Sequence, residues 1–319
     1  MKTKITGISA YLPSKVVTND DLSKTLDTSH EWIYTRTGIA SRHVSADDET
    51  TSTLAIKAAR EAILKANIDP MAIDAIIVST TTGDSRFPSC ACKVQGAIGA
   101  YKAFAFDLNA ACSGFIYALA VADSMMKSMN LKNILLIASE TITKFVDWTD
   151  RSTCVLFGDG AGALVLQSSN DDSSGILATK LYSNGEEEKF NAILSHNGPQ
   201  NDHRGYVTMA GRTVFKYAVE YMAQSMKEIL SENNMTIDDI DWIIPHQANK
   251  RILDTICKMH DFPIEKMIIT TENHANTSSA SIPLALSETM DKGTIKKGDT
   301  LLFTALGAGL VWGSAIVKL

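Results

Sequence analysis

Cys112 is the residue whose surroundings best fit nucleophilic chemistry. It lies where residues 103–108, a run typical of a buried strand, lead through small residues into a helix predicted over 113–129. A thiol at a helix N-terminus faces unpaired backbone N–H groups and the positive end of the helix dipole, which favour the thiolate. We therefore expect a lowered pKa and covalent catalysis at Cys112. The structural alternative is a small buried cysteine.

Two further polar residues follow or precede apolar segments in the second half of the chain. His246 comes directly after a predicted strand over 240–244, and Asn276 precedes an apolar helix predicted to begin near Ile282. An imidazole can exchange protons or donate a hydrogen bond, and a side-chain amide can donate one. Although a lone histidine after a strand is more often structural, the convergence of three such segments favours a catalytic set.

The elements that position these residues follow an α/β pattern. Short apolar runs over 73–78, 103–108 and 133–138 predict buried strands. Apolar residues at three- and four-residue spacing predict helices over 52–66 and 113–129. Strands that alternate with amphipathic helices are typical of an α/β fold.

A short internal repeat indicates two similar halves. IDAII at 73–77 returns as IDWII at 240–244, at a separation of 167 residues, and each copy follows a helix and an acidic turn. The same offset maps Cys112 onto position 279, close to Asn276. The polar stretches 168–185 and 195–205 are predicted to be surface loops, so we expect the halves to join near 170–210.

Composition excludes several classes of function. The chain has 319 residues and a formal net charge of -6, which gives no global positive field for nucleic acid or an anionic membrane. Its apolar runs are shorter than the roughly 20 residues of a membrane-spanning helix, and the N-terminus carries no export signal. Five cysteines, an odd number in a large chain, favour reduced thiols in the cytoplasm. Cys90 and Cys92 form a poor zinc site and are predicted to be small buried residues at a helix start, so no metal is expected.

Five motifs together resemble the β-ketoacyl-acyl-carrier-protein synthase III family of the thiolase superfamily. They are ACSGF at 111–115, FGDGAGA at 157–163, PHQAN at 245–249, NTSSAS at 276–281 and GAGLVWGSA at 307–315. Their order is that of the family, and the resemblance extends from GISAYLP at 7–13 to the C-terminus.

The resemblance implies a thiolase-like α/β fold. Two pseudo-symmetric βαβαβαββ halves would pack in a five-layered arrangement, in agreement with the repeat. We accordingly expect an N-terminal half over 1–170 that carries the nucleophile and a C-terminal half over 171–319 that carries the histidine and the asparagine. Members of the family are usually homodimers.

The implied reaction initiates type II fatty-acid synthesis. Cys112 would take a short acyl group from acyl-CoA, and malonyl-acyl-carrier protein would then undergo a decarboxylative Claisen condensation with it. His246 and Asn276 would stabilise the enolate formed by decarboxylation, and the backbone N–H groups of Cys112 and Gly309 would form the oxyanion hole. Acyl-CoA is a substrate, and no separate cofactor is implied.

The resemblance also assigns binding residues. For CoA they are Thr28, Trp32, Arg36, Arg151 and Asn249. In this assignment Trp32 stacks on adenine, Arg36 meets phosphate and Arg151 completes the adenine sandwich, and guanidinium groups stack well on planar faces.

A local basic patch would bind the acidic carrier protein. Its candidates are Arg251, with Lys250 and Lys216 as weaker ones. A solvated basic face is the alternative for this patch.

Small departures from the family pattern concern the acyl site. Ala275 and Ala308 stand where glycine is common, and Leu306 stands where many members have phenylalanine. Phe87 resembles the residue that closes the acyl pocket of the neighbouring subunit. Chain-length preference would then depend on the partner subunit.

Three alternative functions differ from the initiating condensation. A ketosynthase III-like enzyme of specialised metabolism would use an unusual acyl donor or acceptor, because fold and catalytic set alone do not fix the substrate. A non-catalytic partner that sets chain length would be expected to lack the nucleophile, whereas Cys112 is intact. An acyltransferase or thioesterase would use Cys112 without consuming malonyl thioesters.

Overall fold

The computed structural model describes residues 1–186, 192–195 and 205–319. The strands are β1 (Lys2–Tyr11), β2 (Lys15–Thr18), β3 (Ser41–Val44), β4 (Ala75–Ser79), β5 (Phe104–Leu108), β6 (Asn133–Glu140), β7 (Gly160–Ser169), β8 (Gly175–Ser183), β9 (Ile193–Ser195), β10 (Val207–Met209), β11 (Trp242–Pro245), β12 (Thr300–Gly307) and β13 (Val311–Lys318). The α-helices are α1 (Asn19–Ser23), α2 (His30–Thr37), α3 (Thr51–Ala66), α4 (Cys90–Ile98), α5 (Gly114–Ser128), α6 (Gly211–Glu232), α7 (Lys250–His260), α8 (Thr271–His274) and α9 (Ser281–Asp291).

Two mixed sheets carry the fold. The first sheet has the order β1-β7-β6-β4-β5 and the second has the order β8-β13-β12-β11. In the first, β4 pairs in parallel with β5 and β6, while β7 runs antiparallel to β6 and β1. In the second, β11 and β12 are parallel, while β13 runs antiparallel to β12 and β8. Four strands of each sheet therefore match in order and direction.

The repeat predicted from sequence is confirmed in this topology. IDAII leads into β4 and IDWII leads into β11, and these strands occupy equivalent places in the two sheets. A parallel bridge joins Ile243 to Met267, and the Ile268 N–H donates to the Ile243 carbonyl at 2.9 Å. The segment around Met267 thus lies where the second half would carry a counterpart of β5.

The sheets and helices form five layers, because alternate side chains of each strand face opposite layers. Between the sheets lie α5 and α9, which bury Phe115, Leu119 and Leu284 against Ile77 and Phe303. On the outer face of the first sheet, α3 and α4 cover the other set of strand residues. On the outer face of the second sheet, α6 and α7 do the same. The expected thiolase-like architecture is therefore present.

The predicted helices begin and end close to the expected residues. Thr50 caps α3 in a reciprocal capping box with Thr53, and Asn67 ends the helix in the left-handed conformation with φ 52°. The helix predicted over 113–129 is α5, preceded by a 3-10 turn over Ala111–Ser113.

Two predictions about the strands are wrong. β5 was expected to be buried, but it is the edge strand of the first sheet and Phe104 is 38% exposed. The polar stretch 168–185 was expected to be a loop, but most of it belongs to the end of β7 and to β8. β8 is an edge strand whose residues are mostly partly exposed, which explains its polar composition.

The predictions about the connections and the cysteines agree with the structure only in part. Most of the loop predicted over 195–205 lies outside the described residues, whereas the turn between the two sheets falls between Ser169 and Gly175. At the start of α4, Cys90 is buried as expected but Cys92 is exposed. Among the described helices, none is long and apolar enough to cross a membrane.

Candidate active site

Cys112 lies at the entrance to α5, as predicted. It is in the middle of the 3-10 turn Ala111–Ser113, and Ala111 holds a φ of 47°, an uncommon conformation for a residue with a side chain. The end of β12 approaches this turn closely, because a Cβ at Gly307 would lie 2.7 Å from the Cys112 backbone nitrogen. Glycine at 307 thus lets the two halves meet at the nucleophile.

The prediction of a lowered pKa for Cys112 is wrong in the folded chain. Burial raises the pKa of the thiol to about 11, and the charge of Glu140 acts in the same direction. A hydrogen bond with Ser278, at 3.5 Å from Oγ to Sγ, lowers the pKa but does not offset the burial. Forming the thiolate therefore requires a proton acceptor.

His246 follows β11 and is 3% exposed. Its backbone N–H donates to the Thr304 carbonyl at 2.8 Å, which extends the pairing of β11 with β12. Burial lowers the pKa of the imidazole to about 4, so His246 is neutral at pH 7. Its Nδ1 lies 2.7 Å from Ser281 Oγ.

Asn276 is held by its backbone and by its side-chain oxygen. Its N–H donates to the Leu156 carbonyl at 2.9 Å, and its carbonyl accepts from the Gly158 N–H at 3.0 Å. Its Oδ1 accepts from the Ser278 N–H at 2.8 Å. Among the described residues nothing else pairs with the side chain, which leaves its Nδ2 amide as a donor.

One cavity of about 330 Å³ brings these residues together. At its inner end are Cys112, His246 and Asn276, with Leu306 and Ala308 beside them. At its outer end are Trp32, Arg36, Arg151 and Asn249. The walls between the two ends are mostly apolar, which suits an acyl chain and a pantetheine arm.

The outer end carries stacked cations. The guanidinium carbons of Arg36 and Arg151 lie 4.5 and 5.1 Å from the Trp32 ring centroid. Arg151 also contacts the carbonyl and the carboxylate of Asp27. Asn249 caps α7 and donates to the Arg36 carbonyl at 3.3 Å, so it ties α2 to α7.

Other residues expected at the site lie outside this cavity. Thr28 follows Asp27, whose carbonyl contacts Arg151 at the outer end, and its hydroxyl is buried with no hydrogen-bond partner among the described residues. Gly309 follows the lining residue Ala308 and has a φ of 141°. Phe87 is 84% exposed and does not reach the cavity of its own chain.

The basic residues expected to bind a carrier protein are near the outer end of the cavity. Arg251 lies over the ring of Phe215, a lining residue, at 5.9 Å. Lys216 lies over Tyr217 at 5.5 Å. Lys250 forms an ion pair with Asp254 at 2.8 Å, so Arg251 is the stronger candidate of the two on α7.

Sequence reasoning missed a buried polar cluster beneath Cys112. Glu140, the last residue of β6, is fully buried and is surrounded by donors. These donors are Thr81 N–H and the hydroxyls of Thr80, Thr81, Thr82, Ser278 and Ser279. An acidic residue at the end of the apolar run 133–138 was the one available signal. Ser281 was missed as well. Among the described residues no cluster could hold a metal ion.

Comparison with known proteins gives the same picture. Residues 106–185 match the family model of 3-oxoacyl-[acyl-carrier-protein] synthase III, and residues 230–319 match its C-terminal model. A β-ketoacyl-[acyl-carrier-protein] synthase III of Rickettsia bellii is 50% identical over 320 residues, covering 100% of both chains.

Solved structures agree with the sequence matches. The 3-oxoacyl-[acyl-carrier-protein] synthase III of Aquifex aeolicus is 46% identical with a TM-score of 0.93, and the match covers 99% of this chain and 100% of that one. A priming β-ketosynthase of a polyketide pathway is 33% identical with a TM-score of 0.93, covering 99% and 96%.

The two repeated sheets and the cavity between them define an enzyme of the thiolase fold. Within that class, the chain belongs to the β-ketoacyl-acyl-carrier-protein synthase III family.

Proposed function

We propose that this enzyme condenses a short acyl-CoA with malonyl-acyl-carrier protein to give a β-ketoacyl-acyl-carrier protein, the initiating step of type II fatty-acid synthesis. The observation that carries the proposal is the shared cavity, where Cys112, a neutral His246 and the Asn276 amide meet at the inner end of an apolar channel. Membership of the family supports the same reaction.

In the first stage, the Cys112 thiolate attacks the thioester carbonyl of acyl-CoA. A carbon–sulfur bond forms to Cys112 and the bond to CoA breaks, so that CoA leaves as a thiolate and takes a proton from solvent. The backbone N–H groups of Cys112 and Gly309 hold the oxygen that becomes negative. The close approach of Gly307 to the Cys112 backbone supports this arrangement, because it brings the segment of Gly309 beside the nucleophile.

In the second stage, His246 and Asn276 assist decarboxylation. Ser281 Oγ accepts from the Gln247 N–H at 3.2 Å. Among the described residues, the acceptor available to the Ser281 hydroxyl proton is His246 Nδ1. The imidazole proton is then on Nε2, which donates into the cavity together with Asn276 Nδ2. Both donors bind the malonyl thioester oxygen and stabilise the enolate left by loss of carbon dioxide. The enolate carbon attacks the acyl-Cys112 carbonyl and releases the Cys112 thiolate.

The outer end of the cavity binds CoA, which serves as a substrate; we propose no further cofactor. Trp32, flanked by Arg36 and Arg151, offers a planar face for adenine and positive charge for phosphates. The hydroxyl of Thr28 is buried and must become accessible before it can bind CoA, and Asn249 orients the mouth of the channel.

The carrier protein docks beside this opening. Arg251 is exposed at the start of α7, and Lys216 lies on the neighbouring α6. Opposite charges favour an acidic carrier protein there. Lys250 contributes less because Asp254 neutralises it.

We propose a homodimer that forms along β5. Among the described strands, β5 pairs on one side only and forms the edge of the first sheet; Phe104 and Phe106 stack on it with centroids 6.5 Å apart, and Tyr101 beside it is 72% exposed. An exposed apolar edge of this kind is typical of an interface. Phe87, 84% exposed, would close the acyl pocket of the partner subunit, and Leu306 would line the pocket within each chain.

We propose domain boundaries and a cellular location on the basis of the sequence. We propose halves over 1–170 and 171–319, each built around one sheet and carrying Cys112 and the His246–Asn276 pair respectively. We place the enzyme in the cytoplasm, because all five cysteines are free.

A second candidate is a priming ketosynthase of specialised metabolism with an unusual acyl donor or acceptor. The similarity to the priming β-ketosynthase of a polyketide pathway favours it, since that enzyme shares the fold at 33% identity. The two candidates use the same cavity and differ in the acyl groups they accept.

The test is intact-protein mass after incubation with straight-chain, branched and aromatic acyl-CoAs, followed by malonyl-acyl-carrier protein. The matched variants are Cys112→Ala and Cys92→Ala, because Cys92 is an exposed thiol outside the cavity. We expect a short acyl adduct on wild type and Cys92→Ala, absent from Cys112→Ala, that is discharged to a β-ketoacyl product. An adduct released only to water would overturn the condensation. Uptake restricted to unusual acyl groups would favour the second candidate.

A further inference from the structure

Glu140 is a buried carboxylate that the proposed reaction does not yet use. It is fully buried beneath Cys112, and one oxygen, Oε2, accepts from Thr82 Oγ1 at 2.8 Å and from the Thr81 N–H at 3.1 Å. The other oxygen, Oε1, contacts Ser279 Oγ at 2.7 Å and Ser278 Oγ at 3.2 Å. Glu140 has no cationic partner among the described residues, and a buried acid without one is costly, which calls for a role.

Ser278 bridges this carboxylate and the nucleophile. Its Oγ lies 3.2 Å from Glu140 Oε1 and 3.5 Å from Cys112 Sγ. Its backbone has a φ of 51°, a strained conformation for serine, and its N–H is fixed by Asn276 Oδ1. Backbone strain of this kind persists where surrounding contacts impose it, often at functional sites.

His246 does not supply the base for Cys112 in this arrangement. When Ser281 donates to Nδ1, the imidazole carries its proton on Nε2 and presents no lone pair to the cavity. A different acceptor must then take the thiol proton, and the Ser278 hydroxyl is in contact with Sγ.

We propose that Ser278 relays the proton of Cys112 to Glu140, so that Glu140 is the base that forms the catalytic thiolate. This inference rests on the proposed role of Cys112 as nucleophile. Ser278 touches the reacting sulfur, whereas Glu140 acts through Ser278.

The proton that leaves Cys112 returns to it within one turnover. The S–H proton moves to Ser278 Oγ while the Ser278 proton moves to Glu140 Oε1, leaving a thiolate and a neutral carboxylic acid. When condensation releases the Cys112 thiolate, the same two transfers run in reverse. The enzyme therefore needs no proton from solvent to restore its resting state.

The charges around the pair favour this exchange. Desolvation raises the pKa of Glu140, which makes its carboxylate a better proton acceptor. Glu140 is also one of the groups that raise the pKa of Cys112, and protonation of Glu140 removes that negative charge. His246, which lines the same cavity as Cys112, is neutral at pH 7. Among the described residues, the other groups that contact Glu140 are hydroxyls and one backbone N–H.

The test is the pH dependence of Cys112 alkylation by iodoacetamide, followed from pH 5.5 to 9 by the mass of the Cys112 peptide. An internal transfer keeps the number of protons on the pair constant, so wild type should show a nearly flat rate between the two titrations. In Ser278→Ala and Glu140→Gln, the alkylation rate should instead rise by about tenfold per pH unit, as the rate of an isolated thiol does below its pKa. At pH 6.5, Cys112 of Ser278→Ala should be alkylated at least about tenfold more slowly than Cys112 of wild type.

Ser279→Ala is the matched control, because Ser279 contacts the same carboxylate oxygen but not the sulfur. It should keep the flat profile. A wild-type rate that itself rises about tenfold per unit, or a flat profile in Ser278→Ala, would overturn the relay. Glu140→Gln alkylated faster than wild type at every pH would also overturn it, since Glu140 would then only oppose the thiolate.

This readout is independent of the condensation, because alkylation needs neither acyl-CoA nor carrier protein. A flat wild-type profile without an acyl adduct would support the relay and reject the proposed function. An acyl adduct with a steep profile would do the reverse.

Discussion

His246 Nδ1 lies 2.7 Å from Ser281 Oγ, a contact that joins the end of β11 to the first residue of α9. The same hydroxyl accepts from the Gln247 N–H, and among the described residues His246 Nδ1 is the acceptor available to its own proton. With Ser281 as the donor to Nδ1, the imidazole carries its proton on Nε2, which is then a donor in the cavity.

Ser281→Ala should slow condensation by roughly tenfold and leave acylation of Cys112 close to wild type, because only the second stage needs Nε2–H as a donor. Single-turnover mass measurements of the two stages would separate them. Ser287→Ala, at another buried serine of the same helix, is the control and should change neither stage. Equal losses in both stages would show that Ser281 is merely structural.

Ala275→Gly should stabilise the protein by about 1 kcal/mol. Ala275 has φ 57° and ψ -157°, a region that is open essentially only to glycine, and relief of this strain exceeds the entropy cost of glycine. Ala280→Gly is the matched control, because Ala280 is buried nearby with an ordinary φ of -74°. It should lose about 1 kcal/mol. Urea unfolding measures both values, and a similar loss in both variants would contradict the strain at Ala275.

Periodicity and strand ends made much of the architecture predictable. The apolar repeat of α5 and the runs of β4 and β6 are local patterns, and each appears close to its predicted range. The 167-residue offset predicted two similar halves, and the matching sheet orders confirm it. Cys112, His246 and Asn276 meet because loops at the strand ends of both halves open into one cavity.

Properties that depend on tertiary surroundings were not predictable in this way. The helix N-terminus suggested a lowered pKa for Cys112, but burial raises it in the folded chain, and the charge of Glu140 adds a smaller contribution in the same direction. Local composition did not distinguish an edge strand from a central one, so β5 was expected to be buried. Ser278 and Ser281 become important only through contacts with residues that are distant in sequence.

His246→Gln should remove part of the acid sensitivity of folding. The pKa of His246 is about 4 in the folded chain and about 6.5 when unfolded, so between these values the unfolded chain binds a proton that the folded chain does not. Stability therefore falls as the pH drops from about 6.5 to about 4, by up to about 3 kcal/mol from this group. Urea unfolding at pH 7.5 and pH 4 should show a smaller loss for His246→Gln than for wild type by about that amount.

The exposed His30 provides the control for this comparison, because its side chain is solvated in both states. His30→Gln should follow the wild-type dependence on pH. An equal loss for wild type and His246→Gln would show that the imidazole is hydrated or charged in the folded enzyme.

Trp32→Ala should raise the KM for acyl-CoA by about tenfold and leave kcat within about twofold, because a base stacked on an aromatic ring contributes about 1–3 kcal/mol and the ring is remote from Cys112. The Arg151 guanidinium carbon lies 5.1 Å from the Trp32 centroid, less than the roughly 7 Å that a base inserted between two planar groups requires. Arg151 must therefore move outward when adenine binds. Tyr34→Ala, at an exposed aromatic on the same helix, is the control and should leave KM unchanged. Steady-state kinetics would measure both variants, and a fall in kcat at constant KM for Trp32→Ala would contradict a role in CoA binding.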